Sequence, residues 1–411
     1  MKKKLIALAV FLIAVTLYLM FYHHKQTFTV VPAQADVVIL LDVKKIKRQY
    51  ISSLLSHPSE WFGSKNKSKK TVSIEESGVK IPDFLQIFHL RNSGFSDWYS
   101  IFEIKDKQKL ITFLKQEKFT DRGNNVFRKD QIFVKIERDN FILGTSDRDF
   151  KSIDCRLLPS SKINILDADE LITHGIGSIL IQSEKGSQNL SVTVNDDDIE
   201  IKNNIYFNPP TSLISKLLNT KSFFEAELNA QNINNLDFIF NRKSLDSSKI
   251  NHLKAVADLE QVSDTMVTYG YDDDFNEVEK KTIQKIIQPN YIIGLQSSDS
   301  PKTEEYFRNK KWINVQNQFT AIPFQPNIIQ KTSGGFEIKS TRKKMQAAQK
   351  LNENYVIIRN NKLMVSSLKT LNSRERKILL TLDYLFYTNR DQDYYLQLKF
   401  KKDKLPLILR W

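Results

Sequence analysis

Apolar and polar positions follow three rhythms along this chain: an unbroken apolar run at the start, then helical and strand-like periods interleaved. Leu5 to Tyr22 carries no charge. An uncharged run of this length approaches the ~20 apolar residues that cross a bilayer core, and it predicts a transmembrane helix. Lys2, Lys3 and Lys4 precede it, and only His23, His24 and Lys25 follow closely. The positive-inside bias then predicts a cytoplasmic tip over 1–4, a single-pass membrane helix over 5–22, a spacer over 23–35 and an extracytoplasmic, periplasmic ectodomain on a bacterial inner membrane. Ala33-Gln34-Ala35 has the small-x-small form of a signal-peptidase site, so cleavage after Ala35 stands as the alternative. Its distance from Tyr22 and its direct run into Asp36–Leu41 favour an uncleaved signal anchor.

Past the spacer, Val37 to Leu41 reads as a buried strand, and Asp42 caps a helix whose apolar residues Val43, Ile46, Tyr50, Ile51, Leu54 and Leu55 recur at helical spacing. His57-Pro58 ends it. Tyr99 to Ile104 predicts a second strand, and Asp106 caps a helix burying Leu110, Ile111, Phe113 and Leu114. Two hairpins follow. One joins Ile132–Ile136 to Phe141–Thr145 around Asp139-Asn140; the other joins Val192–Val194 to Ile199–Ile201 around Asn195 to Asp198, with Asp196 to Asp198 as a solvated tip. Pro209-Pro210 marks a joint, after which Thr211 caps a helix presenting Leu213, Ile214, Leu217 and Leu218.

Beyond that joint the pattern restarts. Phe223–Leu228 with Asn229 and Ile233 echoes Asp36–Leu41 with Asp42 and Ile46. Tyr291–Leu295, followed by a helix capped at Ser300 with Pro301 at its start, echoes Tyr99–Ile104 with Asp106. Tyr355–Ile358 and Leu363–Ser367 echo the hairpin strands Phe133–Ile136 and Phe141–Thr145. The growing offset places extra material in the basic stretch around Lys310 to Lys350. The expected fold class is α+β: the transmembrane helix followed by an internal duplication, two diverged copies of a mainly antiparallel strand-helix module over 36–208 and 209–411.

Composition narrows the chemistry. Glycine is scarce, at 12 of 411 residues, which leaves little material for phosphate-cradling loops. Cys155 is the single cysteine, so no intramolecular disulfide forms. Asp272, Asp274 and Asn276 fall at alternating calcium-ligand positions, but Glu277 stands where the loop needs glycine and Ile283 where it needs glutamate, so an acidic turn after Met266–Tyr271 is expected. Histidines 23, 24, 57, 89, 174 and 252 lack zinc-site spacing. Ser178 in Gly175-Ile176-Gly177-Ser178 lacks the glycine that follows a nucleophile elbow. The motifs assign no catalytic, cofactor-binding or metal residue. The net charge of +14 gathers at Lys65–Lys70, Arg308–Lys311, Arg342–Lys344 and Lys399–Lys404, clusters that suit anionic lipid or an envelope polymer outside the cytoplasm better than nucleic acid, which is not expected there.

The run Val31-Pro32-Ala33-Gln34-Ala35-Asp36-Val37-Val38, with Glu76-Ser77-Gly78-Val79 and the strand-Asp-helix unit Ile101–Leu114, resembles membrane-anchored or lipoprotein families of unknown function in Bacteroidota. The resemblance implies a cell-envelope address and α+β ectodomain modules, and brings no catalytic residues; the lipobox cysteine of the lipoprotein members is missing here. The functional expectation is a membrane-anchored envelope protein, non-enzymatic, that binds another envelope protein or an anionic component. The alternative is an extracytoplasmic hydrolase with a site between the two modules, built on two carboxylates or a Ser-His pair.

Overall fold

Short polar side chains decide where strands give way to helices, and the rest of the fold is antiparallel sheet. The computed structural model describes residues 28–58, 74–154, 163–183, 186–235, 248–271, 275–322, 327–340, 345–346, 350–368 and 373–410. The chain divides into two compact units: residues up to Ile205 together with those from Asp403, and Tyr206–Lys402.

In the first unit, a ribbon of β1 (Phe28–Pro32) and a later strand stands beside a longer sheet that starts with β2 (Ala35–Asp42). Asp42 closes β2 and opens α1 (Val43–Ser56), accepting the Lys45 N–H at 2.8 Å. Then come β3 (Phe84–Leu90), β4 (Trp98–Glu103) and α2 (Lys107–Gln116), whose cap Asp106 accepts from Gln108 and Lys109 at 3.0 and 3.1 Å. Gly78 holds this cap from outside. Its φ is +76°, its carbonyl accepts from the Lys105 and Asp106 N–H groups, and a Cβ there would lie 2.3 Å from the Asp106 carbonyl oxygen. The unit continues with β5 (Thr120–Asp121), β6 (Val126–Lys129), β7 (Ile132–Glu137), β8 (Asn140–Gly144), α3 (Phe150–Asp154), β9 (Ile163–Asp167, the partner of β1), α4 (Ala168–Leu171), β10 (Gly177–Ser183), β11 (Gly186–Val194) and β12 (Asp198–Lys202). Pairing runs β12-β11-β10-β2-β3-β4-β8-β7-β6-β5, antiparallel throughout. One core gathers Val38, Leu40, Phe88, Tyr99, Ile142 and Ile153; a second packs Leu110 and Leu114 of α2 on Phe127, Val134, Ile136 and Phe141.

The second unit holds α5 (Thr211–Leu218), β13 (Phe224–Asn229), α6 (Ala230–Asn235), β14 (Ile250–Tyr271), β15 (Glu277–Ser297), α7 (Ser300–Asn309), β16 (Asn327–Thr332), β17 (Gly335–Ser340), β18 (Asn354–Arg359), α8 (Lys362–Ser367), α9 (Ser373–Thr381), β19 (Leu382–Arg390) and β20 (Asp393–Phe400). Pairing runs β20-β19-β18-β13-β14-β15-β17-β16, again antiparallel. The order parallels that of the first unit: β13 lies between β18 and β14 as β2 lies between β10 and β3, and β15, with α7 after it, pairs β17 as β4, with α2 after it, pairs β8. Phe307 of α7, 1% exposed, sits among Tyr306, Trp312, Phe319 and Phe336. Leu213, Ile214 and Leu217 of α5 join Tyr355, Ile357, Phe386 and Tyr395 in a separate core.

Several expectations are corrected. Antiparallel sheet dominates the described residues, with ten strands paired in the first unit and eight in the second, and the α+β picture of strand-helix modules behind a membrane helix gives way to two sheet units carrying short helices. Among the described residues no helix is long and apolar enough to cross a membrane. The segment 5–22 lies outside the described residues, so nothing in the structure supports a membrane partner through one helix, a signal anchor or an inner-membrane position, and these are withdrawn. Leu363–Ser367 lies in a helix, because Asn361 caps it through the Leu363 N–H at 2.8 Å; the third echo thus compares a hairpin with elements placed differently. The stretch after Lys310 supplies β16 and β17, which extend the sheet beyond β15. The caps expected at Ser300 and Thr211 fall one residue earlier, at Asp299 and Pro210. The tip of the Asn195–Asp198 turn is exposed at Asn195 and Asp196, but Asp198 is buried, and the Asp196 carbonyl accepts the Leu407 N–H at 2.7 Å, tying the C-terminal residues to the first unit.

Candidate functional site

β14 and β15 are far longer than the sheet that roots them. β13 pairs only with His252–Ala257 of β14, and β17 only with Ile292–Gln296 of β15, whereas β14 and β15 stay paired with each other as far as Tyr271 opposite Glu277. From Ser263 to Lys285 every described residue except Gly270 is exposed. At about 3.3 Å per residue, Gln261 to Tyr271 makes an arm about 33 Å long. The turn residues Asp272, Asp273 and Asp274 lie outside the described residues.

Strand geometry sorts the arm's side chains onto two faces. Val267, Tyr269 and Tyr271 share one face with Ile283, which stands opposite Thr265; Met266 shares the other with Val278, which stands opposite Gly270. All are exposed, Tyr269, Tyr271 and Ile283 by 69%, 74% and 73%, and Phe275 at the tip by 85%. Scattered apolar residues on a surface need no explanation, but a row of them on a two-stranded ribbon does, because a lone hairpin is marginal in water and has no core of its own. The two strands differ in charge. Gln261–Tyr271 carries Asp264 alone, whereas Glu277–Ile287 carries Glu277, Glu279, Lys280, Lys281 and Lys285, with Glu279 and Lys281 paired at 3.3 Å.

Two constellations that suit hydrolysis were hidden in the sequence, and neither holds up as chemistry. In the first unit His89 Nδ1 lies 2.7 Å from Asp36 Oδ1, and Nε2 lies 3.2 Å from Ser93 Oγ, which are the distances of a Ser-His-Asp triad. The Gly94 carbonyl sits 3.0 Å from the same Nε2, a position that calls for an N–H there, and the Ser93 hydroxyl donates to the Leu90 carbonyl at 2.8 Å. The nitrogen that would take the serine proton is engaged, and the cluster closes the turn after β3. In the second unit Glu225 and Glu227 are buried side by side on one face of β13. Glu227 accepts the Leu351 and Asn352 N–H groups at 2.8 and 3.2 Å, with His252 Nε2 at 3.3 Å, and Glu225 accepts from Thr220 and, at 3.4 Å, from Arg359. Burial, then the charges of these two glutamates, push the Tyr355 hydroxyl far above the usual tyrosine range, so it stays neutral. Both carboxylates tie chain segments together.

Of the basic clusters, Lys65–Lys70 and Arg342–Lys344 lie outside the described residues. Arg308 is held by Glu304 at 2.8 Å, and Lys310 lies 5.7 Å from the Tyr306 ring. A shallow hollow of about 300 Å³ in the first unit is lined by Lys118, Arg122, Arg128 and Lys129 with Thr120 and Asp130, but Lys129 pairs with Glu117 and Arg128 lies over Phe133. No cluster of metal-ligating side chains occurs among the described residues. Ser178 is buried in β10 and donates to Asn189. α1 buries none of its residues and exposes Tyr50, Ile51 and Leu55, but the longest stretch that the packing leaves unused among the described residues is the β14–β15 arm. No family model, curated protein or solved structure matches this chain.

Proposed function

We propose that the chain is a non-enzymatic interaction protein that holds a protein partner with the β14–β15 arm. The observation that carries this reading is the exposed row Met266, Val267, Tyr269, Tyr271, Val278 and Ile283 on the stretch of ribbon between Ser263 and Lys285, which contributes to none of the buried cores. A tyrosine side chain offers a large contact area at little entropic cost, and tyrosine is enriched at protein interfaces and their hot spots. A photo-crosslinking residue in place of Tyr269 tests it in cells. Covalent capture of one protein species at near-stoichiometric yield, lost when the crosslinker is moved to exposed Val315, supports the reading. Equal and diffuse labelling from both positions overturns it.

A further inference from the structure

Resting on that reading, we infer that the arm's partner is a second copy of this chain, joined edge to edge through β14 in an antiparallel, two-fold pairing of Gln261–Tyr271. An exposed strand edge presents unpaired N–H and C=O groups, and natural sheets guard such edges with charge, especially lysine, or with proline. The outer edge of β15 is guarded in this way. Glu277, Glu279, Lys280, Lys281 and Lys285 line it, and Pro289 follows. The outer edge of β14 reads Gln-Val-Ser-Asp-Thr-Met-Val-Thr-Tyr-Gly-Tyr, rich in residues that favour strands and with one charge; beyond Ala257 no strand but β15 pairs with it among the described residues. One edge of the same ribbon is guarded and the other is open.

The open edge also fits itself. A two-fold axis perpendicular to a sheet keeps each side chain on its own face, so residues pair only with others of the same face and one residue meets its own copy. Full overlap of Gln261–Tyr271 makes that residue Met266. Thr265 then faces Val267, Asp264 faces Thr268, Ser263 faces Tyr269, Val262 faces Gly270 and Gln261 faces Tyr271. The two Asp264 carboxylates are kept apart, each opposite a threonine, so no like charges meet directly across the new ladder. Val267, Tyr269, Tyr271 and Ile283 of both copies come to lie on one face of a four-stranded sheet.

The experiment uses the full chain carrying Met266→Lys or Met266→Glu, each alone and then mixed, with mass measured by sedimentation across a concentration series. Within its own arm Met266 stands opposite neutral Thr282, so either charge leaves the arm intact. Wild type is expected to dimerise. Each variant should associate about tenfold more weakly or worse, because identical charges meet at the axis, and the equimolar mixture should recover a mixed dimer. A wild-type monomer at all concentrations, a dimer indifferent to Met266→Lys, or a mixture that stays monomeric overturns the inference. A monomer whose Tyr269 crosslinker still captures one different protein removes the second copy as the partner but leaves the interaction reading standing. Diffuse labelling removes both.

Discussion

Replacing Ser263–Lys285 with Asn-Gly should leave the fold's stability almost unchanged. Val262 and Ile286 face each other in the register, so a two-residue turn with positive φ at both positions can close the shortened hairpin. The magnitude follows from burial. Every described residue removed is exposed except Gly270, and none belongs to a buried cluster, so little apolar area is lost. Ordering these residues costs about 1–2 kcal/mol each in backbone entropy, which the ribbon's own ladder and cross-strand pairs roughly offset, as expected of a lone hairpin. The net change should fall within about 0.5 kcal/mol, or about 1–2 °C in Tm for a unit of this size. Phe307→Ala, which hollows the α7 core, should by contrast cost about 3–5 kcal/mol. Urea unfolding followed by tryptophan fluorescence measures both, since Trp312 packs 5.6 Å from Phe307, at a protein concentration low enough that association adds nothing to the wild type's stability. A loss above about 2 kcal/mol for the shortened arm would mean that it supports the fold, and the case for an arm kept for a partner would fail.

Glu227→Ala should destabilise the second unit by about 3 kcal/mol by orphaning the Leu351 and Asn352 N–H groups, seen as a lower urea midpoint and faster proteolysis near Leu351. Gly78→Ala should cost about 2 kcal/mol or more, because the residue adopts positive φ and its new methyl meets the Asp106 carbonyl; thermal unfolding reads this directly. Lys331 and then Arg308 hold the Glu304 carboxyl below its ordinary range. A carboxylate whose folded pKa is depressed stabilises above its unfolded value, about 4.3, and loses that contribution as pH falls through the folded value. Glu304→Gln should therefore be less stable than wild type at neutral pH and converge with it in acid. Convergence at alkaline pH instead would reverse the sign. Ser93→Ala should leave any hydrolysis of activated esters by the purified chain at its wild-type level, since the His89 Nε2 beside it is already engaged; a drop would reinstate the triad.

How much was legible depended on how local the signal was. Asp42 and Asp106 announce their helices because a cap acts within three residues, and both are found as read. Asn361 is a cap of the same kind, but the apolar run Leu363–Val365 also suits a strand, and the longer-range choice went to the helix. Strand neighbours were legible only within hairpins, β7 with β8 and β11 with β12: β18 pairs β13 across more than a hundred residues, and nothing near Tyr355 names Glu227 as its partner. The arm was hidden for a different reason. A half-buried strand shows its period because one face is apolar, yet β14 carries Val262 and Met266 on one face and Val267, Tyr269 and Tyr271 on the other, so the alternation cancels. That cancellation is itself informative. A core-facing strand segregates its apolar residues to one side, and a strand meant only for solvent spares them, so apolar side chains on both faces of a ribbon with one unguarded edge are what a strand retains when its contacts are made with another chain.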